Sequence, residues 1–403
     1  MALTPLNEAL EQLLATVPPP PAAELVPISR CLNRALAEDI FASMDVPAFD
    51  NSAMDGYAVR IEDLPGELPI SQRIPAGTPA APLEPGTAAR IFTGAQIPLG
   101  ANAVIMQEDA LVSGDNIQIL GCLSRGAHIR PKGGDIPAGS RVMTSGRILL
   151  PQDLGLVASL GIAALPVRKR LKVTVMTTGD ELVSPGSARA DWQIFNSNAT
   201  QIAAQLSLLG VEPMVIDALP DDPRLIGDAL EQAAAQSDCI VTSGGVSVGE
   251  EDHVRHQIEA RGSLKLWKLA IKPGKPLAFG EVRGCPVFGL PGNPVSSWAT
   301  FGLAVKPWLL KAQGATVPSM RRVGVIAGFE VPRAGTREEF LRVVLDDGRP
   351  ATAFKTGDQS SGVLTSTAIA DALAIIPAGV RVAEGDCLDA ILVSEFLSAY
   401  AAG

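Results

Sequence analysis

Between residues 169 and 315 short apolar runs alternate with longer amphipathic stretches, and this alternation constrains the fold more than any other feature of the chain. A strand over 171–176 leads to a helix near Asn198 to Leu209 that Gly210 terminates. A strand over Val211 to Asp217 follows, then a helix that Pro223 starts and that runs to about Gln236, and Asp238 to Thr242 is the next strand. Strands alternating with helices predict a doubly wound α/β domain, whose ligands bind beyond the carboxyl ends of its strands. Beyond the first strand lie Thr177, Thr178, Gly179, Asp180 and Glu181, and beyond the second Asp221 and Asp222. Beyond the third runs Ser243-Gly244-Gly245-Val-Ser247-Val-Gly249, followed by Glu250 and Asp252. These clusters are expected to converge on one rim.

The flanks read differently. From about residue 57 to 145 short β-like pieces (YAV, ARIF, AVIM, NIQIL, SRVM) are punctuated by glycine and proline, which predicts a small β-rich domain. After about residue 315 short strands return, suggesting a C-terminal β-barrel. Near the start, Thr4 can cap a helix with Pro5 at its first position and Leu6, Leu10, Leu13 and Leu14 as its apolar stripe. Ser29 is expected to cap a second helix through Asp39. The fold class is therefore mixed α/β and multi-domain, in keeping with 403 residues that include 39 glycines and 32 prolines.

Composition excludes some functions. The chain has 33 Lys and Arg against 43 Asp and Glu, a net charge of −10, which argues against a nucleic-acid partner. Aromatic residues make up only 4%, which disfavours a base-stacking platform. Cys31, Cys122, Cys239, Cys285 and Cys387 show no zinc-like or redox-like spacing and read as buried or free thiols in a reducing compartment. The most apolar stretch, Ile148 to Val167, is interrupted by Gln152, Asp153 and two prolines, so no membrane span is expected. The N-terminus lacks the basic and apolar regions of a secretory signal, and the expected location is cytoplasmic.

The glycine turn at 243–249 suits an anion, because bare backbone N–H groups can point at a phosphate. It is neither a Walker A loop nor GxGxxG, and a plain tight turn reads equally well. The next stretch, Arg255 to Lys275, holds six Lys or Arg and one acid, Glu259, a local +5 in an acidic chain. Read as one strand, Lys265 to Lys272 places Lys268 and Lys272 on the same face. Two ammonium groups side by side repel unless an anion lies between them, although a solvated edge strand protected by lysines gives the same pattern. Pro273-Gly-Lys275 continues this stretch. Pro291-Gly292-Asn-Pro294-Val-Ser296-Ser297 offers another stiff turn into a helix N-terminus. The carboxylates Asp180, Glu181, Asp221, Asp222, Glu250 and Asp252 are hard oxygen ligands suited to Mg²⁺ on a pyrophosphate, or ordinary helix caps and surface charge. His253 and His256 lack a third ligand, and with only three histidines no catalytic triad can be drawn.

Together, Phe49-Asp-Asn-Ser-Ala-Met-Asp55-Gly-Tyr-Ala-Val, Ile91-Phe-Thr93-Gly-Ala, Thr177-Thr-Gly-Asp-Glu181-Leu, the turn from Thr242 to Gly249, Lys272-Pro-Gly-Lys275-Pro and Leu290-Pro-Gly-Asn-Pro-Val-Ser resemble the MoeA-type molybdopterin molybdenumtransferases, relatives of the gephyrin E domain. The motifs stand in the family's order over nearly the whole chain. The resemblance implies an enzyme of molybdenum cofactor biosynthesis. Such an enzyme takes adenylated molybdopterin and molybdate as substrates, cleaves the pyrophosphate link with Mg²⁺, and releases AMP. It implies an N-terminal helix (1–19) packing on the α/β domain, an elongated linker domain (20–45 and 140–168), a small β-rich domain (46–139), a molybdopterin-binding α/β domain (169–315) and a C-terminal β-barrel (316–403). It also implies a homodimer whose cleft joins the β-rich domain of one subunit to the other two domains of its partner, and hand-over partners in a molybdopterin adenylyltransferase and cofactor-accepting enzymes.

Carried over by motif, the catalytic residues are Asp55, Thr93, Asp135, Glu181, Asp222, Asp252, Lys268, Lys272 and Lys275. Glu181 and Asp252 are assigned to the metal. Arg130, Pro291, Gly292 and Pro294 bind substrate; Ser243, Gly244, Gly245, Ser247 and Gly249 face its phosphates; and Ser296 or Ser297, Arg337 or Arg342, and Ser361 face the oxyanion. The chain departs from the family at His253, where tyrosine is common. Two other readings compete: a non-catalytic, gephyrin-like scaffold, and a molybdopterin adenylyltransferase. Retention of Asp55, Glu181, Asp252 and the three lysines favours the enzyme over the scaffold. The extra β-rich and C-terminal domains disfavour the adenylyltransferase.

Overall fold

The computed structural model of the chain describes residues 3–119, 123–245, 253–317 and 319–398, the side chains at 266 and 267 excepted. The chain forms two compact units, one of residues 39–144 and 152–163, the other of 1–38, 145–151 and 164–403.

The first unit is built on a six-stranded sheet of β1 (Gly56–Val59), β2 (Glu67–Ile74), β3 (Ala88–Ile91), β4 (Ala103–Met106), β5 (Ala110–Ser113) and β6 (Asn116–Ile119), in the order β4-β1-β3-β2-β6-β5. Its sequence alternates with period two and both faces are covered. Tyr57, Val59, Ala88, Ala103 and Ile105 pack on one side, and Ala58, Ala89, Ile91 and Val104 on the other. Ile40–Phe41 pairs with Arg141–Met143 in the same unit.

In the second unit, helix α1 (Leu6–Leu14) buries Ala9 and Leu13. Thr4 does not cap it. Thr4 pairs with Leu269 in a two-residue edge strand and Pro5 takes the cap position, so the backbone of Thr4 is already committed to a sheet. The helix expected from Ser29 to Asp39 is absent. Only a single 3-10 turn, Ile28–Arg30, forms, because the following N–H groups go elsewhere: Asn33 to Leu149 O, Leu36 to Arg147 O and Ala37 to Pro166 O. Ala23–Pro27 pairs antiparallel with Ala164–Arg168.

The α/β layers follow. They consist of β7 (Lys172–Thr178), α2 (Ser197–Leu208), β8 (Glu212–Leu219), α3 (Pro223–Gln236), β9 (Cys239–Ser243), α4 (His253–Arg261), β10 (Gly262–Leu269), β12 (Pro276–Val282), β13 (Cys285–Leu290), α5 (Pro294–Thr300) and α6 (Lys306–Ala312). The sheet order, from the Leu3–Thr4 strand, is β10-β12-β13-β9-β7-β8, with β8, β7, β9 and β13 mutually parallel.

Lys265 to Lys272 is not one strand. β10 ends at Leu269, and β11 (Ile271–Lys272) belongs to another sheet, pairing with Glu338 and Glu339. Ala270 is the crossing point, its N–H bonded to Thr4 O and its carbonyl to the N–H of Glu338. The expected side-by-side placement of Lys268 and Lys272 on one strand face is therefore lost.

The C-terminal strands β14 (Val323–Ala327), β15 (Glu338–Leu345), β16 (Thr352–Lys355), β17 (Ala372–Ile376) and β18 (Cys387–Leu392) close into a five-stranded barrel through the β15–β17 pairing, with β11 added at the β15 edge. The α/β layers and the barrel share one core, in which Phe288, Trp308 and Leu303 pack in the same cluster as Phe340, Ile375 and Ile391. Cys31, Cys239 and Cys285 are buried free thiols and Cys387 is exposed, while Cys122 lies outside the described residues. Among the described residues no helix is long and apolar enough to cross a membrane.

Candidate functional site

Strand order reverses at β7: β8 lies on one side of it and β9 on the other, so the crevice at the switch point opens beyond Thr178 and Ser243. A cavity of about 560 Å³ lies there, lined among others by Thr177, Thr178, Glu181, Phe195, Asn198, Ser243 and Pro294. A second cavity of about 600 Å³ adjoins it, lined by Gly244, Gly245, Lys272, Lys275, Pro291, Ser296, Arg337 and Ser361. Gly244, Gly292 and Asn293 line both.

The turn between them is a consequence of glycine. Gly244 and Gly245 have φ of 96° and 65°, the left-handed region, and a Cβ on Gly245 would sit 2.7 Å from the Val254 side chain. Asn198 holds the neighbouring turn. Its Nδ2 donates to Ser243 Oγ at 2.8 Å and to Gly292 O at 2.7 Å, while Ser243 Oγ donates to Pro291 O at 3.1 Å. One amide thus fastens the end of β9 to the loop before α5. Asn196, the N-cap of α2, accepts from Ala199 N and donates to Thr177 Oγ1. Neither asparagine stands out in the sequence as a site residue. The available signal is the Asn-Ser-Asn run at a helix start, where side-chain amides find backbone partners.

The second cavity carries the positive charge. Lys275 is exposed and, among the described residues, has no carboxylate within ion-pair distance. Lys272 Nζ lies 3.2 Å from Glu339 Oε2, and Arg337 Nη1 donates to Ile271 O at 3.1 Å. Ser361 is placed by two bonds, from Asn293 Nδ2 to its Oγ at 3.0 Å and from Val295 N to its carbonyl at 3.1 Å. Of the two arginines considered, Arg337 faces the cavity. Arg342 is buried, donating to Ser366 Oγ and Ser360 O, and burial lowers its pKa. Its backbone N–H and carbonyl both bond the Gln359 side chain, so it braces the loop that presents Ser361.

Other expected residues fall elsewhere. Asp222 caps α3, accepting from Arg224 N at 2.8 Å and Leu225 N at 3.0 Å, and those bonds hold its carboxyl below the usual range. Lys268 sits on β10 opposite Pro276 and Leu3 and lines neither cavity. Ser297 is fully buried in α5, its Oγ without a partner among the described residues. Ser247, Gly249 and Asp252 lie outside the described residues. In the β-rich unit Asp55 accepts from both the N–H and the hydroxyl of Thr93 at 2.8 Å, and these two bonds, the N–H foremost, lower its pKa. Arg130 and Asp135 are exposed in the same unit, Arg130 opposite Asn51 in a short strand pair.

Paired cavities at a switch point, one of them lined by Lys272, Lys275 and Arg337 and walled by glycine turns, belong to an α/β protein with a β-barrel built onto it. Family models match in order along the chain: the MoeA N-terminal region (domain I and II) over residues 4–161, a probable molybdopterin binding domain over 174–311, and the MoeA C-terminal region (domain IV) over 325–393. The molybdopterin molybdenumtransferase of Haemophilus influenzae is 42% identical over 313 residues, 77% of this chain and 78% of that one. Molybdopterin molybdenumtransferase 2 of Mycobacterium tuberculosis is 38% identical over 371 residues, 88% of this chain and 91% of that one. The crystal structure of the molybdopterin biosynthesis moeA protein of Pyrococcus horikoshii OT3 superimposes with a TM-score of 0.81 at 33% identity, covering 97% of this chain and 100% of that one. The chain belongs to the MoeA family of molybdopterin molybdenumtransferases.

Proposed function

We propose that the chain inserts molybdate into adenylated molybdopterin, releasing AMP and molybdenum cofactor. The basic cavity, which shares Gly244 and Gly292 with a neighbouring one that carries Glu181 and an aromatic wall at Phe195, supports this reading. One substrate is a dianion, the other a planar heterocycle bearing phosphates, and the two cavities divide those chemistries.

In this reading Lys275, Lys272 and Arg337 hold molybdate by charge-assisted hydrogen bonds, with the hydroxyls of Ser296 and Ser361 filling the remaining oxygens. The 243–249 turn takes the nucleotide phosphates through backbone N–H groups. Asp55, Thr93, Arg130 and Asp135 serve the same reaction from the β-rich unit. Glu181 and Asp252 are the residues that would hold Mg²⁺. Among the described residues no group of three or more His, Cys, Asp or Glu could hold a metal by itself. Mg²⁺ is commonly bound by one or two carboxylates together with substrate phosphates. When bound, Mg²⁺ supplies neutralisation of the pyrophosphate charge. The enzyme works as a homodimer in the cytoplasm, receiving its substrate from an adenylyltransferase and passing its product to cofactor-accepting enzymes.

Asp252→Ala tests the metal assignment: turnover is expected to vanish with the fold intact, and unchanged activity would remove Asp252 from the site. The reaction itself is tested by supplying purified protein with adenylated molybdopterin, molybdate and Mg²⁺ and measuring AMP.

A further inference from the structure

The β-rich unit carries a second concentration of positive charge, away from any lysine motif. Arg73 on β2 and Arg90 on β3 are direct partners in a parallel pair, so two guanidinium groups stand opposite each other on one sheet face. Like charges so placed destabilise a sheet. Among the described residues neither arginine has a carboxylate within 4 Å, in a chain whose net charge is −10.

Both contact one aromatic ring. The guanidinium carbons of Arg73 and Arg90 each lie 4.6 Å from the centroid of Phe92, and that of Arg90 is 5.1 Å from the Tyr57 ring. Cation–π contact stabilises each arginine singly but leaves their mutual repulsion in place. Arg90 is further fixed, its Nη1 donating to Gly56 O at 2.9 Å and its Nη2 to Gln107 Oε1 at 2.7 Å. Gln107 N in turn donates to Asp55 O, and Thr93, the residue after Phe92, ties down the Asp55 carboxylate. The Arg73 side chain makes no hydrogen bond among the described residues and is exposed, so its fork of donors is open. A planar guanidinium fork resting against an aromatic ring can offer two donors to two oxygens of one phosphate group.

We infer that Arg73 and Arg90, steadied by Phe92, form a binding site for a phosphate-type oxyanion, a phosphate ester or a diphosphate, with Arg73 as its bidentate ligand and Arg90 as the fixed second charge. The inference goes beyond the transfer reaction, because it concerns equilibrium binding to residues assigned no part in that reaction.

Calorimetric titration of the full chain without metal, using inorganic pyrophosphate and, separately, AMP, tests it. Lys275→Ala serves as the background to weaken anion binding in the basic cavity, and AMP held by the 243–249 turn is the component that Arg73→Gln leaves in place. Arg73→Gln is expected to weaken binding of at least one probe about tenfold or more, and Arg73→Lys, which keeps the charge but loses the fork, to fall between. Loss with both probes identifies a phosphate ester as sufficient; loss with pyrophosphate alone identifies a diphosphate. Unchanged affinity in Arg73→Gln, or no binding of either probe in the Lys275→Ala background, overturns the inference. Arg73 is exposed, and Arg90→Lys gives a second variant should Arg73→Gln fail to fold.

Discussion

At the scale of single residues, the site depends on a few charges and on the amides that aim them. Among the described residues Lys275 has no carboxylate within ion-pair distance, whereas Lys272 is engaged by Glu339. Losing one charge-assisted hydrogen bond costs about 1.5–3 kcal/mol, or roughly ten- to a hundredfold in affinity. Lys275→Ala is therefore expected to raise the molybdate concentration for half-maximal turnover by at least about tenfold while AMP affinity stays within about twofold. Equal loss of both, measured by steady-state kinetics and AMP titration, would place the oxyanion elsewhere. Asn198→Ala frees Ser243 Oγ and Gly292 O together, and about 1–3 kcal/mol of stability should go with it in denaturant unfolding.

These two residues also mark what the sequence reveals. Lys272, Lys275 and Ser296 stand in compact motifs whose residues stay together in space, so their spacing carries the site. Asn198 acts on partners 45 and 94 residues away, and no local pattern encodes such reach. Arg337 and Arg342 are alike in sequence, both in or beside β15, and only the barrel decides that one faces the cavity and the other the interior.

At the scale of elements, capping and close approach set the tolerances. Asp222 caps α3, and its lowered pKa means that its stabilisation is fully present above the ordinary value of 3.8 and is lost as pH falls through the lower folded value. Asp222→Ala should lower Tm at neutral pH, and its gap from wild type should close in acid. Asp222→Asn, whose amide oxygen caps equally well, should keep Tm. An unchanged Tm in Asp222→Ala would contradict the cap. Gly302 lies in the turn Phe301–Val305 between α5 and α6, where a Cβ would meet the Phe396 ring at 2.0 Å. Overpacking of that kind costs about 1–3 kcal/mol, so Gly302→Ala should lower Tm with activity retained at low temperature.

Helices with strong caps and amphipathic faces, such as Pro223–Gln236, are legible in the sequence itself, because the signals that start and stop them are local. The stretch from Ser29 to Asp39 is not, because its N–H groups bond residues more than a hundred positions away and long-range pairing overrides local capping. The strand ending at Leu269 misleads for a related reason. Lysine alternation continues smoothly through Ala270, but two different sheets compete for the backbone on either side of it.

At the scale of the molecule, an acidic chain concentrates its cations in one stretch. The stretch from Arg255 to Lys275 carries +5 within a total of −10, and of its lysines the structure brings Lys272 and Lys275 to the basic cavity. The glycines and prolines that first signal many turns include the loops that wall both cavities. The proposed homodimer predicts twice the 41.9 kDa chain mass by light scattering, and a mass of one chain at micromolar concentration would contradict it. With adenylated molybdopterin and Mg²⁺ supplied, AMP release should rise with added molybdate, saturate, and yield a cofactor that restores an apo-molybdoenzyme. AMP release that ignores molybdate, or none at all, would contradict it.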